Sequence, residues 1–310
     1  MVAKGDRMVV GCSGGPDSVC LLLSLDRLRR LLGIRAIEVF HFDHRLRAGS
    51  DADGVYVRRL AGRLGFGFHL REAPERPAKG DSLEMWARYH RMNAAIEVMT
   101  SVGADRIALG HTRNDQAETV LMSVITGSAD GVSGIPPRNG PVIHPMLDVG
   151  RDEVEAFCRA LRLRPRRDPT NEDVRLLRNA LRRRAIPAIE RATGREITAA
   201  IARVAERARD DRDHLWALAV EIAPTVIEPT QDGCRLSVAA FAALPPALAW
   251  RVVRRAFQSI DAMWTHADVE AVLDLVAGRP GRRRDLTRGL LARRDRVYLS
   301  LSRSSPESRV

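Results

Sequence analysis

The chain has 310 residues, of which 45% are hydrophobic, and a formal net charge of +11. That length and apolar content suit two cored domains, and the absence of an apolar run of ~18 residues argues against a membrane span, so a cytoplasmic protein is expected. The basic excess fits a polyanionic partner, and because Lys4 and Lys79 are the only lysines, nearly all of it is arginine, suited to bidentate phosphate contacts.

In chain order, Met8–Ser13 reads as a short buried strand running into glycines, and Ser18–Leu32 as a helix. Ala36–Phe42 is a second strand, Asp53–Leu64 an amphipathic helix, and Phe66–Leu70 a third strand. Leu83–Val102 reads as a helix, Arg106–Gly110 as a strand and Asn114–Ile125 as a helix. This alternation predicts βαβ units and a parallel sheet covered on both faces. The stretch 126–142, rich in Gly, Ser and Pro, reads either as a surface connector or as an active-site loop. Residues 1–195 are expected to form one domain and 196–223 a connecting helix. A smaller mixed α+β domain is expected over 224–303, with short strands near Arg235–Val238 and Arg296–Leu301 and helices at Pro246–Ser259 and His266–Val276, before a tail at 304–310.

Gly11-Cys12-Ser13-Gly14-Gly15-Pro16-Asp17-Ser18 follows a strand and opens a helix. Glycines admit a close ligand, Pro16 suits the first helical turn, and free N–H groups backed by the helix dipole make an anion site. Ser13 and Ser18 add hydroxyls. No lysine follows, so this is not a Walker loop, and the glycine spacing is not that of a dinucleotide fingerprint. A carboxylate among phosphates needs a cation between them, so Asp17 is a candidate Mg²⁺ ligand.

Asp43 and His44, with Arg45 and Arg47, stand at the end of the second strand, where parallel sheets bind ligands. After the Arg106–Gly110 strand, Asp115 and Glu118 share one helix face beside His111 and could hold a metal or an amine, cap the helix, or do both. Glu84, Arg88 and Arg91 form one helical stripe, either an exposed ion pair or a clamp for phosphate or carboxylate. The four scattered cysteines, Cys12, Cys20, Cys158 and Cys234, form no C-x-x-C pair and read as buried thiols rather than a zinc, cluster or redox site.

The S-G-G-x-D-S loop is similar to that of the N-type ATP pyrophosphatases. With His41 to Arg47, the E-x-x-x-R-x-x-R stripe, Gly110 to Thr119, His144-Pro145-Met146-Leu147, Arg151, Asp168-Pro169-Thr170-Asn171, Arg178-Asn179-x-x-Arg182 and Pro187, the chain resembles the tRNA(Ile)-lysidine synthetase family from about Val10 to Ile189. The resemblance implies a PP-loop fold of the adenine nucleotide α-hydrolase type with a smaller C-terminal domain, and a short family member with one such domain instead of two. It implies that ATP adenylates the wobble cytidine of a CAU-anticodon tRNA(Ile) and that free L-lysine then displaces AMP.

By resemblance Ser13, Gly14, Gly15, Pro16, Asp17 and Ser18 bind ATP, with Mg²⁺ near Asp17. Asp17, Asp43, His111, Asp115 and Glu118 would carry the chemistry. His44, Arg47, Arg88, Arg91, Arg178, Asn179 and Arg182 would contact lysine or tRNA, and Arg282 to Arg284 would grip the acceptor stem. A homodimer is left open. Thr126 replaces an Arg common in the family's loop, Thr112 a second His and Met92 a Tyr, which puts the loop's contacts in doubt. The rival readings are another PP-loop tRNA-modifying enzyme, such as a thiolase, and a non-catalytic tRNA-binding protein.

Overall fold

A computed structural model describes residues 1–45, 49–74, 83–128, 130–166 and 172–303. Two compact units divide at Arg209 and Asp210. The first contains β1 (Arg7–Gly11), α1 (Pro16–Leu32), β2 (Ala36–Asp43), α2 (Asp51–Leu64), β3 (Gly67–Glu72), α3 (Leu83–Ser101), β4 (Arg106–Ala108), α4 (Arg113–Ile125), β5 (Arg138–Asn139), β6 (Val142–Ile143) and α5 (Arg151–Ala160). Next come α6 (Leu177–Ala180), a π-helical turn (Leu181–Ala185), α7 (Ile186–Thr193) and the start of α8 (Ile197–Val226).

The six strands lie in the order β3-β2-β1-β4-β6-β5, and every pair but β5–β6 is parallel. The chain runs outward from β1 to β3 and then re-enters on the other side of β1 as β4. That reversal is the topological switch point, and the crevice beyond the carboxyl ends of β1 and β4 is where such sheets take ligands. The period-2 pattern of β1 covers both faces: Met8 and Val10 join a core with α1, α2 and α5, while Val9 joins another with α3. All three are fully buried, each contributing about 1.5–3 kcal/mol.

The second unit begins within α8 and continues through β7 (Ile227–Thr230), β8 (Gly233–Ser237), α9 (Val238–Ala242), α10 (Pro246–Ser259), α11 (His266–Ala277), β9 (Arg283–Leu286), β10 (Leu290–Arg294) and β11 (Tyr298–Arg303). Its antiparallel sheet has the order β7-β8-β11-β10-β9. Alternate residues of β8, β10 and β11 enter one core with α10 and α11, the mark of a sheet packed on one face. The α/β expectation of a parallel PP-loop sheet plus a smaller mixed unit agrees with this architecture. Of the stretch 126–142, residues 130–142 hold regular structure, a 3₁₀ turn at Asp130–Ser133 and strand β5, and Ala129 lies outside the described residues. No helix among the described residues is long and apolar enough to cross a membrane.

Candidate active site

The switch-point crevice is bordered on one side by the loop between β1 and α1. Gly14 has φ +88°, in the left-handed region that glycine adopts without strain. Ser18 Oγ accepts from the Ser13 N–H at 3.1 Å, donates to the Gly15 carbonyl at 3.0 Å and lies 3.1 Å from Ser13 Oγ. The loop is thereby closed on itself before any ligand arrives. Gly15 caps α1 without a side chain, whereas Thr112 and Asp115 close the start of α4 with a reciprocal capping box. The first turn of α1 therefore keeps its orphan N–H groups for an anion, and Pro16 at its start has none to lose.

On the other side, Gly110, two residues past the end of β4, sits where a side chain would crowd α1. A Cβ on Gly110 would stand 3.1 Å from the Asp17 carbonyl oxygen. This close approach brings the β4–α4 junction, with His111, against the first turn of α1. His41 on β2 is buried and donates from Nδ1 to the Cys12 carbonyl at 2.8 Å, tying the neighbouring strand to the loop. Asp43, also buried, ends β2 and accepts from the Arg45 N–H at 2.8 Å. His44 packs edge-on to Phe42.

Between these borders lies a four-member ion-pair cluster. Arg178 Nε donates to Glu118 Oε2 at 3.0 Å, and Arg182 donates from Nε to Oε1 at 2.5 Å and from Nη2 to Oε2 at 2.9 Å. Both guanidiniums also reach Asp115 Oδ1, at 3.4 and 3.1 Å. Glu118 is only 1% exposed, a position an ionised carboxylate holds only when paired. Burial pushes the Asp115 carboxyl up, but Arg178, the Thr112 N–H and Arg182 outweigh it and hold the group below the usual carboxylate range.

Asp17 differs, since its carboxylate takes no hydrogen bond from a described residue. Burial and the charge of Asp115 push its pKa up to about 6, against the opposing pull of Arg151 and Arg182. A carboxylate so placed, on the first turn of an anion-binding helix, fits a shared divalent cation, which takes one or two protein carboxylates and completes its shell with phosphate oxygens and water.

A nitrogen-rich wall completes the site. His111 packs edge-on to His144 at 4.8 Å, and burial, followed by His144, holds its pKa well below the usual histidine range, so it is neutral. His111 Nδ1 and Arg91 Nε are buried and without a hydrogen-bond partner among the described residues. Arg88, one turn before Arg91, is exposed. Asn179 is buried and donates to the Asp173 carbonyl at 3.0 Å. Buried nitrogens left unpartnered in this way are suited to hydrogen bonds from a bound ligand.

Of the residues expected from the sequence, the structure brings Asp17, His111, Asp115, Glu118, Arg91, Arg178 and Arg182 into one electrostatic neighbourhood. Arg47 and Asp168 to Asn171 lie outside the described residues, as does the Glu84 side chain. Sequence reasoning had given no role to Arg151 or His144, although both stood in its motifs, nor to Gln116 and Arg209. Gln116 brackets Ile135, donating to its carbonyl at 3.2 Å and accepting from its N–H at 2.6 Å, and Arg209 donates to the carbonyls of Ser133 and Ile135 at 3.0 Å. Together they pin the Gly-rich segment. The Gln of the D-Q-x-E block carried that signal, whereas Arg209, far along the chain, carried none.

The four cysteines are free and buried, and no group of His, Cys, Asp and Glu among the described residues is arranged to bind a metal by protein ligands alone.

The family model for a PP-loop domain matches residues 2–189, and that for a TilS substrate-binding domain matches residues 236–299. The chain is 36% identical over 308 residues to the tRNA(Ile)-lysidine synthase of Solibacter usitatus, with 97% of this chain and 68% of that protein covered. It is 34% identical to that of Caldanaerobacter subterraneus subsp. tengcongensis, over 83% of this chain and 56% of the relative, and 32% identical to that of Clostridioides difficile, over 89% and 61%. The chain thus spans between about half and two thirds of the length of these relatives. Among solved structures it resembles the U34-tRNA thiolase NcsA from Methanococcus maripaludis with its [4Fe-4S] cluster, with a TM-score of 0.58 and 17% identity over 67% of this chain and 74% of that one. At that identity the likeness is one of fold.

Proposed function

Since the chain belongs to the tRNA(Ile)-lysidine synthase family, we propose that it ligates free lysine to C2 of the wobble cytidine in CAU-anticodon tRNA(Ile), at the expense of ATP. The observation that carries this reading is the pairing, in one crevice, of an open anion-binding helix start with the Asp115–Glu118 carboxylates.

The reaction has two halves. The C2 oxygen of the cytidine attacks the α-phosphorus of ATP, the α–β bond breaks and pyrophosphate leaves. The ε-amine then attacks C2, the C–O bond breaks and AMP departs. Ser13 to Ser18 hold the phosphates, and Asp17 would hold Mg²⁺, which neutralises charge on the departing pyrophosphate. Neutral His111 and Arg91 offer unpartnered N–H groups to an oxygen of the base or of the lysine carboxylate, with Arg88 at the rim. Asp43 and His44 border the crevice from β2.

Asp115 and Glu118 attract the ε-ammonium. Held by the guanidiniums, Asp115 is a poor proton acceptor, so it would take the proton only as Arg178 and Arg182 withdraw. In the assembled complex those arginines, with Asn179, then become free to meet RNA. The thiolase alternative is disfavoured by chemistry, because all four thiols are buried and burial pushes the Cys12 thiol up, away from the nucleophilic thiolate.

The test is incorporation of labelled lysine into CAU-anticodon tRNA(Ile) with Mg-ATP, with methionine tRNA as the matched control. Label in the isoleucine tRNA alone is expected. AMP and pyrophosphate formation without label would point to a different nucleophile.

A further inference from the structure

Arg166 follows α5 in the chain, and it meets the phosphate loop from behind. Its backbone N–H donates to the Gly14 carbonyl at 2.9 Å. Its Nε donates to Asp53 Oδ1 at 2.8 Å. Asp53 stands in the first turn of α2 with its side chain only 14% exposed, while the Arg166 side chain is half-exposed. The back of the loop is packed as well as bonded. Arg166 Cγ and Tyr56 Cδ1 lie 3.4 Å, and Val57 Cγ2 3.5 Å, from where a Cβ on Gly14 would stand. Arg166 thus joins the loop, α2 and the segment after α5.

What matters is which peptide is held. The Ser18 hydroxyl bonds the Ser13 N–H and the Gly15 carbonyl, and neither bond engages the Gly14 carbonyl. The peptide between Gly14 and Gly15 is flanked by two glycines, the first at φ +88°, and glycine moves between backbone regions at little steric cost. In a trans peptide the C=O and the following N–H point opposite ways. Holding the Gly14 carbonyl outward against Arg166 therefore turns the Gly15 N–H inward, towards the anion site at the start of α1. That N–H has a long contact, 3.4 Å to Ser13 Oγ, which a phosphate oxygen can replace at shorter range.

We propose that Arg166 is a positioning residue for ATP: clasped to Asp53, it sets the Gly14–Gly15 peptide in the orientation that receives a phosphate. The proposal rests on the reading of this loop as the ATP site. Arg166 acts through Gly14 rather than on the substrate. A half-exposed pair of this kind adds little to global stability. Its effect is on the fraction of molecules whose loop already stands in the binding orientation, and apparent affinity falls in proportion to that fraction.

The experiment titrates Mg-ATP into the full chain, with melting temperature and lysine incorporation measured in parallel. D53N and R166Q are each expected to weaken ATP binding about fivefold, and D53N/R166Q no more than either alone, because each breaks the same clasp. The KM for ATP should rise while kcat at saturating ATP and the KM for lysine stay within about twofold. R30Q, which removes a charge from an exposed site on α1, is expected to bind ATP as wild type does. D53N carries the sharpest test, because it removes a negative charge. If charge alone governed ATP affinity, D53N would bind more tightly, whereas loss of the clasp weakens binding. Wild-type or tighter binding in D53N would overturn the clasp, and with a loss confined to R166Q it would make Arg166 a direct phosphate ligand instead. A lowered melting temperature with ATP affinity unchanged in both single variants would reduce the pair to a structural one. A wild-type chain that binds ATP and attaches no lysine would instead overturn the proposed ligation and leave the clasp standing.

Discussion

At the scale of single residues, the site is governed by how each carboxylate is compensated. Asp17 is the undercompensated one, and its raised pKa has a sign that can be worked out. Between about pH 4 and 6 the folded chain keeps a proton that the unfolded chain has released, so stability falls as pH rises through that window and stays low above it. Asp17→Asn is therefore expected to stabilise the ligand-free protein at pH 7.5 by about 1–3 kcal/mol and to lose that advantage near pH 4, while abolishing pyrophosphate release. Melting temperatures at the two pH values, with a pyrophosphate assay, check both halves. Glu118→Gln has the opposite sign. It leaves Arg178 and Arg182 sharing Asp115 alone, and breaking so buried a pair is expected to cost about 3 kcal/mol in urea unfolding.

The identity of these residues was legible because they stand in spaced blocks at strand ends, and chemistry follows from residue type. Their pairing was not. Nothing in the local pattern shows that Arg178 and Arg182, some sixty positions beyond Glu118, turn back onto it.

At the scale of elements, the β1–α4 alternation was readable from apolar periodicity, and its boundaries fall within about two residues of the expected ones. The segments after α5 were harder. Residues 177–193 contain Arg178, Arg182, Arg183 and Arg184 and a proline, which hides a helix from any apolar count. Pro187 cannot donate to the preceding turn, and the backbone just before it winds as a π-helical turn. The edge strand β9 was invisible for a related reason: it reads Arg-Arg-Asp-Leu, three exposed residues to one buried.

Two distant side chains, Gln116 and Arg209, hold the segment from Asp130 to Pro137 at Ser133 and Ile135. Gln116→Ala is expected to cost about 2 kcal/mol and to open the segment to limited proteolysis while leaving α4 intact. Gly134→Ala should do the same for a different reason, since Gly134 has φ +61° and an added Cβ would fall 2.6 Å from Gln116 Oε1. Cleavage rates in the two variants, read by mass spectrometry, test the point, and protection equal to wild type would count against it.

At the scale of the whole molecule, the two units have separate cores. Length and composition indicated two domains, yet neither says where a single long helix stops belonging to one and starts belonging to the other. The hold of Arg209 on Ser133 and Ile135 belongs to the first unit. A chain ending at Arg209 is therefore expected to keep ATP binding and an ordered 130–137 segment while binding tRNA much more weakly. A chain ending at Arg195 should lose that order as well. Nucleotide titration and proteolysis of the two truncations discriminate between them.

Arg178 and Arg182 give Asp115 and Glu118 their own counter-ions. A cell is crowded with small amines, polyamines above all, and two naked carboxylates in a crevice would collect them. On the proposed reaction an incoming amine would have to displace the bidentate Arg182 guanidinium, and an amine with no carboxylate of its own would recover less from the nitrogen-rich wall. On the proposed reaction the two arginines would thus act as a sieve, favouring an amine that also carries a carboxylate.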